Sequence, residues 1–328
     1  MELNDVKVTV IVPMYNVEHI LDKALETLFA QTLEGVEYIF IDDCSSDNTL
    51  QCLKEKMPKK NGVAVKILHH ENNKGVAVAR NTGLDNATGE YIYYVDADDY
   101  IEPRTLEILY NEAKNSDADI VGCEWFLSFA QNERHMRQAD VESGDGLFRK
   151  MSYGVMRWNL WLFMVRRSLY ERDGLRFIEG MNMGEDMMIM MKLAMNAGRV
   201  SIIHQPLYHY IQTNTGSLTK NFNAYRYQVT ANVNEVGRYI EQAGRPELEE
   251  VLMQLKLTLK LPLLITDKVD DYETWLNWFP ESNGVVDGNM ELPWRTRYIQ
   301  RAAAKRRFWV LKLYYRFVIK LVYGIIFR

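Results

Sequence analysis

A mostly parallel α/β sheet with helices on both faces is predicted by two observations. Short, nearly continuous apolar runs alternate with stretches of helical spacing, and each run ends in polar or acidic residues. Strands buried on both faces read as unbroken apolar runs, and their alternation with helices implies parallel crossovers with ligands gathered at the strands' carboxyl ends. Residues 6–12 (VKVTVIV) form the first strand, stopped by Pro13, and Ile20, Leu21, Ala24, Leu25 and Leu28 give 17–31 a helical stripe. A second strand over 36–41 (VEYIFI) runs into Asp42-Asp43-Cys44-Ser45-Ser46-Asp47, where Ser46 or Asp47 can cap a helix lasting to Met57. Strands over 63–68 and 90–95 and helices over 74–86 and 103–114 continue the series. Beyond Asp119 the pattern loosens: strands are expected at 120–129 and 200–210, and helices near 146–153, 167–173 and 185–197. Spacing over 225–266 is helical, and 267–293, with Gly284, Gly288, Pro280 and Pro293, reads as a loop-rich bridge.

Composition sets the class. With 328 residues and 47% apolar content the chain can bury a large core. The net charge of −5 conceals an asymmetry, because 295–328 carries ten Lys or Arg and no Asp or Glu, leaving 29 basic against 44 acidic residues elsewhere. Three cysteines (Cys44, Cys52, Cys123) without metal-type spacing imply reduced thiols and a cytoplasmic setting. Met1 to Asp5 is short and polar, so no signal segment is expected ahead of the first strand.

The chemistry concentrates at strand ends. The run Tyr91-Ile92-Tyr93-Tyr94-Val95 delivers Asp96-Ala97-Asp98-Asp99 to the point where it leaves the sheet. Clustered like charges need a cation, and Mg²⁺ or Mn²⁺ takes one or two protein carboxylates while keeping positions open for phosphate. Asp96 and Asp98 therefore suggest a metal–diphosphate site, against a plain helix-capping role. The first strand is followed by Pro13-Met14-Tyr15-Asn16. No glycine-rich turn stands there, which excludes a dinucleotide fingerprint, and Tyr15 offers a face for a flat base.

In order along the chain, Pro13-Met14-Tyr15-Asn16, 41–49 (IDDCSSDNT), 73–83 (NKGVAVARNTG) and 95–99 (VDADD) resemble the family 2 glycosyltransferases, inverting enzymes of GT-A fold that use nucleotide sugars. The resemblance covers about 6–215. It implies that Asp43 accepts the base N–H, that Pro13 and Tyr15 line a uracil pocket with Asn16 in the same nucleotide-sugar-binding set, and that Asp96 and Asp98 hold ribose and metal, Mn²⁺ or Mg²⁺. Asp42 reads instead as a turn or cap residue. Arg80 has the charge and fork for a diphosphate, against an internal ion pair. Cys44 departs from the family, which usually has Gly after the paired aspartates. The stretch 177–186 (FIEGMNMGED) ends in an acidic pair that opens a helix; the helix dipole alone could explain it, but the resemblance makes Asp186 the catalytic base and Glu185 an acceptor-side residue. Trp161 could stack on the acceptor sugar, against plain core packing, and 212–219 (QTNTGSLT) suits a loop closing over the diphosphate, against a plain surface loop.

These readings divide the chain into a transferase domain over 1–222, with a nucleotide half (1–118) and an acceptor half (119–222), a helical region and linker over 223–292, and a basic tail over 293–328. In the tail, Lys312, Arg316 and Lys320 form a cationic stripe amid Phe308, Trp309, Leu311, Tyr315, Val318, Ile319, Val322 and Ile326. Three cations make a spanning helix costly, whereas an interfacial helix on anionic lipid fits, against packing on the catalytic domain or a partner subunit. The expected enzyme moves a sugar from a nucleotide diphosphate sugar to a hydroxyl of a glycan or polyprenyl-linked acceptor, peripheral on the inner face of the cell membrane, with no nucleic-acid partner. The alternative is a non-catalytic nucleotide-sugar-binding partner of a membrane glycosyltransferase complex.

Overall fold

The amino-terminal half follows its own alternation. The computed structural model describes residues 6–57, 64–212 and 225–323. In it β1 (Val8–Met14), β2 (Val36–Asp42), β3 (Ala64–His69) and β4 (Tyr91–Tyr94) lie parallel in the order β3-β2-β1-β4, linked through α1 (Leu21–Phe29), α2 (Thr49–Lys56) and α3 (Val76–Asp85). All of β2 is buried, as its unbroken run requires. Pro13 does not stop β1 but belongs to it. The ladder to β4 ends at Ile11, whose carbonyl takes Val95 N–H, so the missing donor of Pro13 faces no strand. Gly83 lets α3 lie close on the sheet, since a Cβ there would sit 2.4 Å from Ile11 Cγ2.

The chain continues through β5 (Tyr100–Ile101), α4 (Thr105–Ser116), β6 (Ile120–Ser128), β7 (Glu133–Met136), α5 (Gly144–Ser152), β8 (Phe163–Arg166), α6 (Arg167–Arg172), α7 (Glu185–Asn196) and β9 (Val200–Ile211). The sheet extends beyond β4 as β8-β6-β9-β5, with β7 paired to β6. Ladders β4–β8, β6–β8, β6–β7 and β5–β9 are antiparallel and short, and the long β6–β9 ladder is parallel. Three strands escape the sequence pattern for a shared reason: β5 has two residues, β7 (ERHM) is polar, and β8 runs directly into α6. Too few side chains alternate in any of them to define a period.

By its own contacts the chain forms two units, 1–148 with 157–236, and 149–156 with 237–328. The boundary between the units, at 236–237, falls within α8 (Arg226–Gln242). The second unit is helical, with α9 (Glu249–Lys260), α10 (Val269–Asn277), α11 (Trp294–Ala304) and α12 (Phe308–Tyr314), followed by a π-helical turn over Tyr315–Tyr323. The loop-rich reading of 267–293 is corrected by α10, whose Tyr272, Trp275 and Leu276 enter the unit's core at helical spacing. Flanking Gly and Pro disguise that short stripe. The tail divides its contacts. Ile299, Ala302, Ala303, Val310 and Leu311 join the same core, so part of its apolar surface is spent on the protein. Val322 and Ile326 of the expected stripe, and Thr213–Thr219 of the expected closing loop, lie outside the side chains described.

Candidate active site

Helix α3 organises the site. At its amino end the Asp43 carboxylate, delivered by the end of β2, accepts Lys74 N–H at 2.9 Å on Oδ1 and Gly75 N–H at 2.7 Å on Oδ2. His70 Nδ1 lies 2.7 Å from Oδ1, and its Nε2 lies 2.9 Å from Thr82 Oγ1. A buried carboxylate at a helix amino end is favoured both by the orphan donors there and by the dipole. Asn182 adds a second link, its Oδ1 accepting Ala77 N–H at 3.1 Å. Gly75 is left-handed (φ +87°), and a Cβ on it would meet the Asn182 amide at 2.3 Å, so backbone angle and space both call for glycine.

A cavity of about 430 Å³ opens here, lined among others by Pro13, Tyr15, Asp43, Asn182, Tyr225 and Gln228. Pro13, Tyr15 and Asp43 are thus brought together. Tyr15 is 49% exposed, with its ring unclaimed by the core. Asn16 is not among the lining residues. Its Oδ1 accepts from Ser46 N–H and Oγ–H at 2.8 and 3.2 Å, and its N–H donates to Ser45 Oγ at 3.0 Å, so it ties two strand-end loops together instead of facing the cavity.

Farther along α3, Arg80 is 3% exposed and gathers the acidic residues. Its Nη1 donates to Glu185 Oε1 at 2.8 Å and Asp186 Oδ1 at 2.5 Å, and its Nη2 to Asp96 Oδ1 at 3.2 Å. Of the two readings of Arg80, the structure shows the internal ion pairs. Glu185 likewise turns into the protein toward Arg80 and is 9% exposed, which leaves it bracing the cluster instead of facing an acceptor. Asp186 keeps more contact with solvent, and its Oδ2 takes Leu160 N–H at 3.3 Å. One guanidinium cannot offset this much negative charge. Burial, aided by Asp186, pushes Glu185 up to about 8 against the pull of Arg80. Burial also raises Asp96 to about 6, with Arg80 opposing and Asp98 and Asp186 assisting.

The acidic turn after β4 is fixed from β9. Tyr208 Oη accepts Asp96 N–H at 3.2 Å and donates to Asp99 Oδ2 at 2.8 Å, while Ile211 N–H donates to Asp99 Oδ1 at 2.7 Å. Burial first, then Asp98 and Asp96, drives the Asp99 carboxyl well above the ordinary range. Trp161 is 2% exposed and stacks on Tyr208 with ring centres 4.3 Å apart. Its expected place against a sugar ring is therefore corrected: it packs in the core and braces the tyrosine that holds the acidic turn.

Among the described residues no three carboxylate, imidazole or thiol groups converge closely enough to enclose a metal ion. The donor set fits a hard divalent cation of the kind held by one or two carboxylates with the remaining positions left to water and phosphate. Asp96 and Asp98 are the carboxylates that would hold such an ion, and burial first, then Asp98 and Asp186, raises Asp96 against the pull of Arg80.

His70, Asn182, Tyr208, Tyr225 and Gln228 escaped the sequence reading. Asn182 stood inside the stretch that drew notice for its acidic pair, but nothing in its spacing pointed at Ala77. Gln228 Oε1 is buried without a hydrogen-bond partner among the described residues. Asp42 is a turn residue, its carboxylate accepting Ser45 N–H at 3.3 Å with His69 Nδ1 at 2.7 Å. Asp47 accepts Thr49 N–H at 3.0 Å just ahead of α2, but the cap position expected at Ser46 or Asp47 is held by Asn48, which makes no side-chain capping bond. Cys44 is left-handed (φ +63°), which gives a physical reason for a glycine there: a side chain costs about 1–2 kcal/mol in that conformation.

A parallel-centred sheet with an acidic cluster at its carboxyl edge and a helical carboxyl-terminal part defines a chain of GT-A fold. Staphylococcus aureus TarS 1–349, solved with UDP-GlcNAc, superposes with a TM-score of 0.69 at 20% identity, covering 94% of this chain and 91% of that one. The mannosyltransferase PcManGT from Pyrobaculum calidifontis, solved with GDP-Man and Mn²⁺, gives 0.54 at 19% identity, covering 92% and 87%. At these identities the likeness is one of fold. Residues 9–190, more than half of the chain, match the model of Glycosyl transferase family 2, and the chain belongs to that family. The Bacillus subtilis protein EpsJ, described as an uncharacterized glycosyltransferase, is 30% identical over 221 residues, which is 65% of this chain and 63% of EpsJ, under two thirds of that relative's length.

Proposed function

We propose that this chain transfers a sugar from a nucleotide diphosphate sugar, a UDP-sugar in the first instance, to a hydroxyl of a glycan or polyprenyl-linked acceptor, with inversion at the anomeric carbon. One observation carries the reading. A single helix, α3, links a cavity suited to a flat base with a carboxylate cluster suited to proton transfer and leaving-group chemistry. The UDP-GlcNAc in the TarS structure supports the donor class, and the Mn²⁺ beside GDP-Man in the mannosyltransferase supports the metal.

In the donor cavity, Asp43 Oδ2 accepts one backbone N–H and retains room for a second, which an imide N–H of uracil would fill as a charge-assisted hydrogen bond with Tyr15 across the ring. At the cluster, the acceptor oxygen attacks the anomeric carbon from the side opposite the diphosphate. Asp186 takes its proton, the bond to the diphosphate oxygen breaks, and the electron pair leaves with the nucleoside diphosphate. Asp98 and Asp96 are the residues that would hold Mn²⁺ or Mg²⁺, and such an ion supplies positive charge to the departing phosphate. A thermal-shift panel of UDP, GDP, ADP and CDP, with and without Mn²⁺, tests the donor assignment. UDP with Mn²⁺ at saturating concentration is expected to raise Tm by about 5 °C or more; no response to any of the four would overturn the reading.

The acceptor class and a peripheral position on the inner face of the cell membrane draw support from the helical unit. Trp309, Leu313 and Phe317 recur at four-residue spacing and are exposed, with Arg307, Arg316 and Lys320 exposed alongside. Amphipathic aromatic rings amid cations suit an anionic lipid surface. No helix among the described residues is long and apolar enough to cross a membrane. The full chain is expected to float with vesicles containing anionic lipid and not with purely zwitterionic ones, and a Trp309→Ala/Phe317→Ala variant is expected to lose most of that binding. Equal flotation of variant and parent would remove this face from the proposal.

A further inference from the structure

We propose that Arg80 is a positioning residue, which fixes Asp186 and Asp96 in register across the cleft, and is not a ligand of the donor's diphosphate. The inference rests on the reading of Asp186 as the base and adds the group that sets its geometry.

Both terminal nitrogens of the guanidinium are engaged within the protein. Nη1 is shared by Glu185 and Asp186 at 2.8 and 2.5 Å, and Nη2 reaches Asp96 at 3.2 Å. The rings of Tyr94 and Phe177 lie 5.9 and 5.8 Å from its central carbon, and Nε is buried without a partner among the described residues. To reach a phosphate the side chain would have to abandon three carboxylates, and unpaired charges in a buried site are strongly unfavourable. Geometry also explains why arginine stands there. The carboxylates come from two separate places, the turn after β4 and the start of α7, and only a planar group with several fixed donors can bridge them. Asp186 is held at one oxygen by Arg80 and at the other by Leu160 N–H. Without Arg80 a single backbone contact would orient it.

Arg80→Lys and Arg80→Met test this in the full chain. Lysine retains the charge but cannot span three carboxylates. Both variants are expected to lower kcat by about 100-fold, as misplacement of a reacting group does, while the KM for the donor stays within about threefold. A donor KM raised about tenfold or more with kcat retained would make Arg80 a diphosphate ligand and overturn the proposal. A second measurement is independent of turnover. Arg80→Met is expected to lower Tm, and adding Asp186→Asn is expected to recover part of the loss, because it removes a carboxylate left uncompensated. Losses that simply add would show that Arg80 and Asp186 are uncoupled. Should the parent chain transfer no sugar, the functional reading fails, and the unfolding cycle still decides whether Arg80 holds Asp186.

Discussion

Asp186→Asn is expected to lower kcat by about 10²–10⁴-fold, the usual contribution of a positioned general base, while UDP affinity stays within about threefold. Asparagine keeps the shape of the side chain and can still accept from Arg80 Nη1, but its NH₂ then meets Leu160 N–H, so Tm is read beside kcat to separate loss of proton transfer from loosening of the cluster. The donor cavity is formed by different residues around Asp43 at the other end of the interaction chain along α3, which is why binding should survive. Single-turnover transfer with a UDP-sugar, read beside nucleotide affinity from calorimetry, separates the two quantities. Turnover at the parent rate would place the base elsewhere. A parent chain that binds nucleotide and transfers nothing would favour a non-catalytic, donor-binding partner in a membrane glycosyltransferase complex.

Asp43→Asn has the second large expected effect, and it falls on stability and donor affinity together. The carboxylate is 3% exposed and receives Lys74 N–H, Gly75 N–H and the His70 ring. An amide can satisfy only part of that set, because its NH₂ must point at a donor on one side or the other. Leaving a buried donor unsatisfied costs about 1–3 kcal/mol, so Tm without nucleotide should fall by several degrees. Loss of a charge-assisted hydrogen bond to the base should weaken UDP binding by about 10–100-fold. A Tm decrease with UDP affinity intact would mean that Asp43 only builds the loop and that the base is read by other groups. Gln228, whose Oε1 has no partner among the described residues and which lines the same cavity, is then the first residue to substitute.

Both predictions rest on residues visible before any coordinates, and the reason is local. The β2 and β4 runs are legible because unbroken apolar sequence has few ways to be buried, and Asp43 and Asp96 are legible because they interrupt that sequence at its ends. Arg80 and Glu185 were legible as residues but not as roles. Their sequence separation of 105 positions hides a 2.8 Å contact, and a lone arginine near a glycine turn looks the same whether it meets phosphate or carboxylate. Trp161 shows the same limit. A tryptophan followed by leucine gives no sign that Tyr208 lies against it, so stacking on a sugar and packing in a core could not be told apart. In the helical unit, α10 is hidden in the sequence because its stripe is short and its flanks are rich in Gly and Pro, and the tail's choice between lipid and protein packing stays open there because hydrophobic spacing cannot say which apolar residues a neighbouring helix will cover.

The amino-acid order alone determined the strand–helix alternation, the acidic strand ends, the acidic start of α7 and the charge contrast of the tail, since each depends on neighbours within a turn or a strand. Only the tertiary structure decided which partner each charge meets: Asp43 the amino end of α3, Arg80 the three carboxylates, Tyr208 the acidic turn. Electrostatic and hydrogen-bond energies depend on distances through space, and the folding that brings residues more than a hundred positions apart to within 3 Å sets those distances.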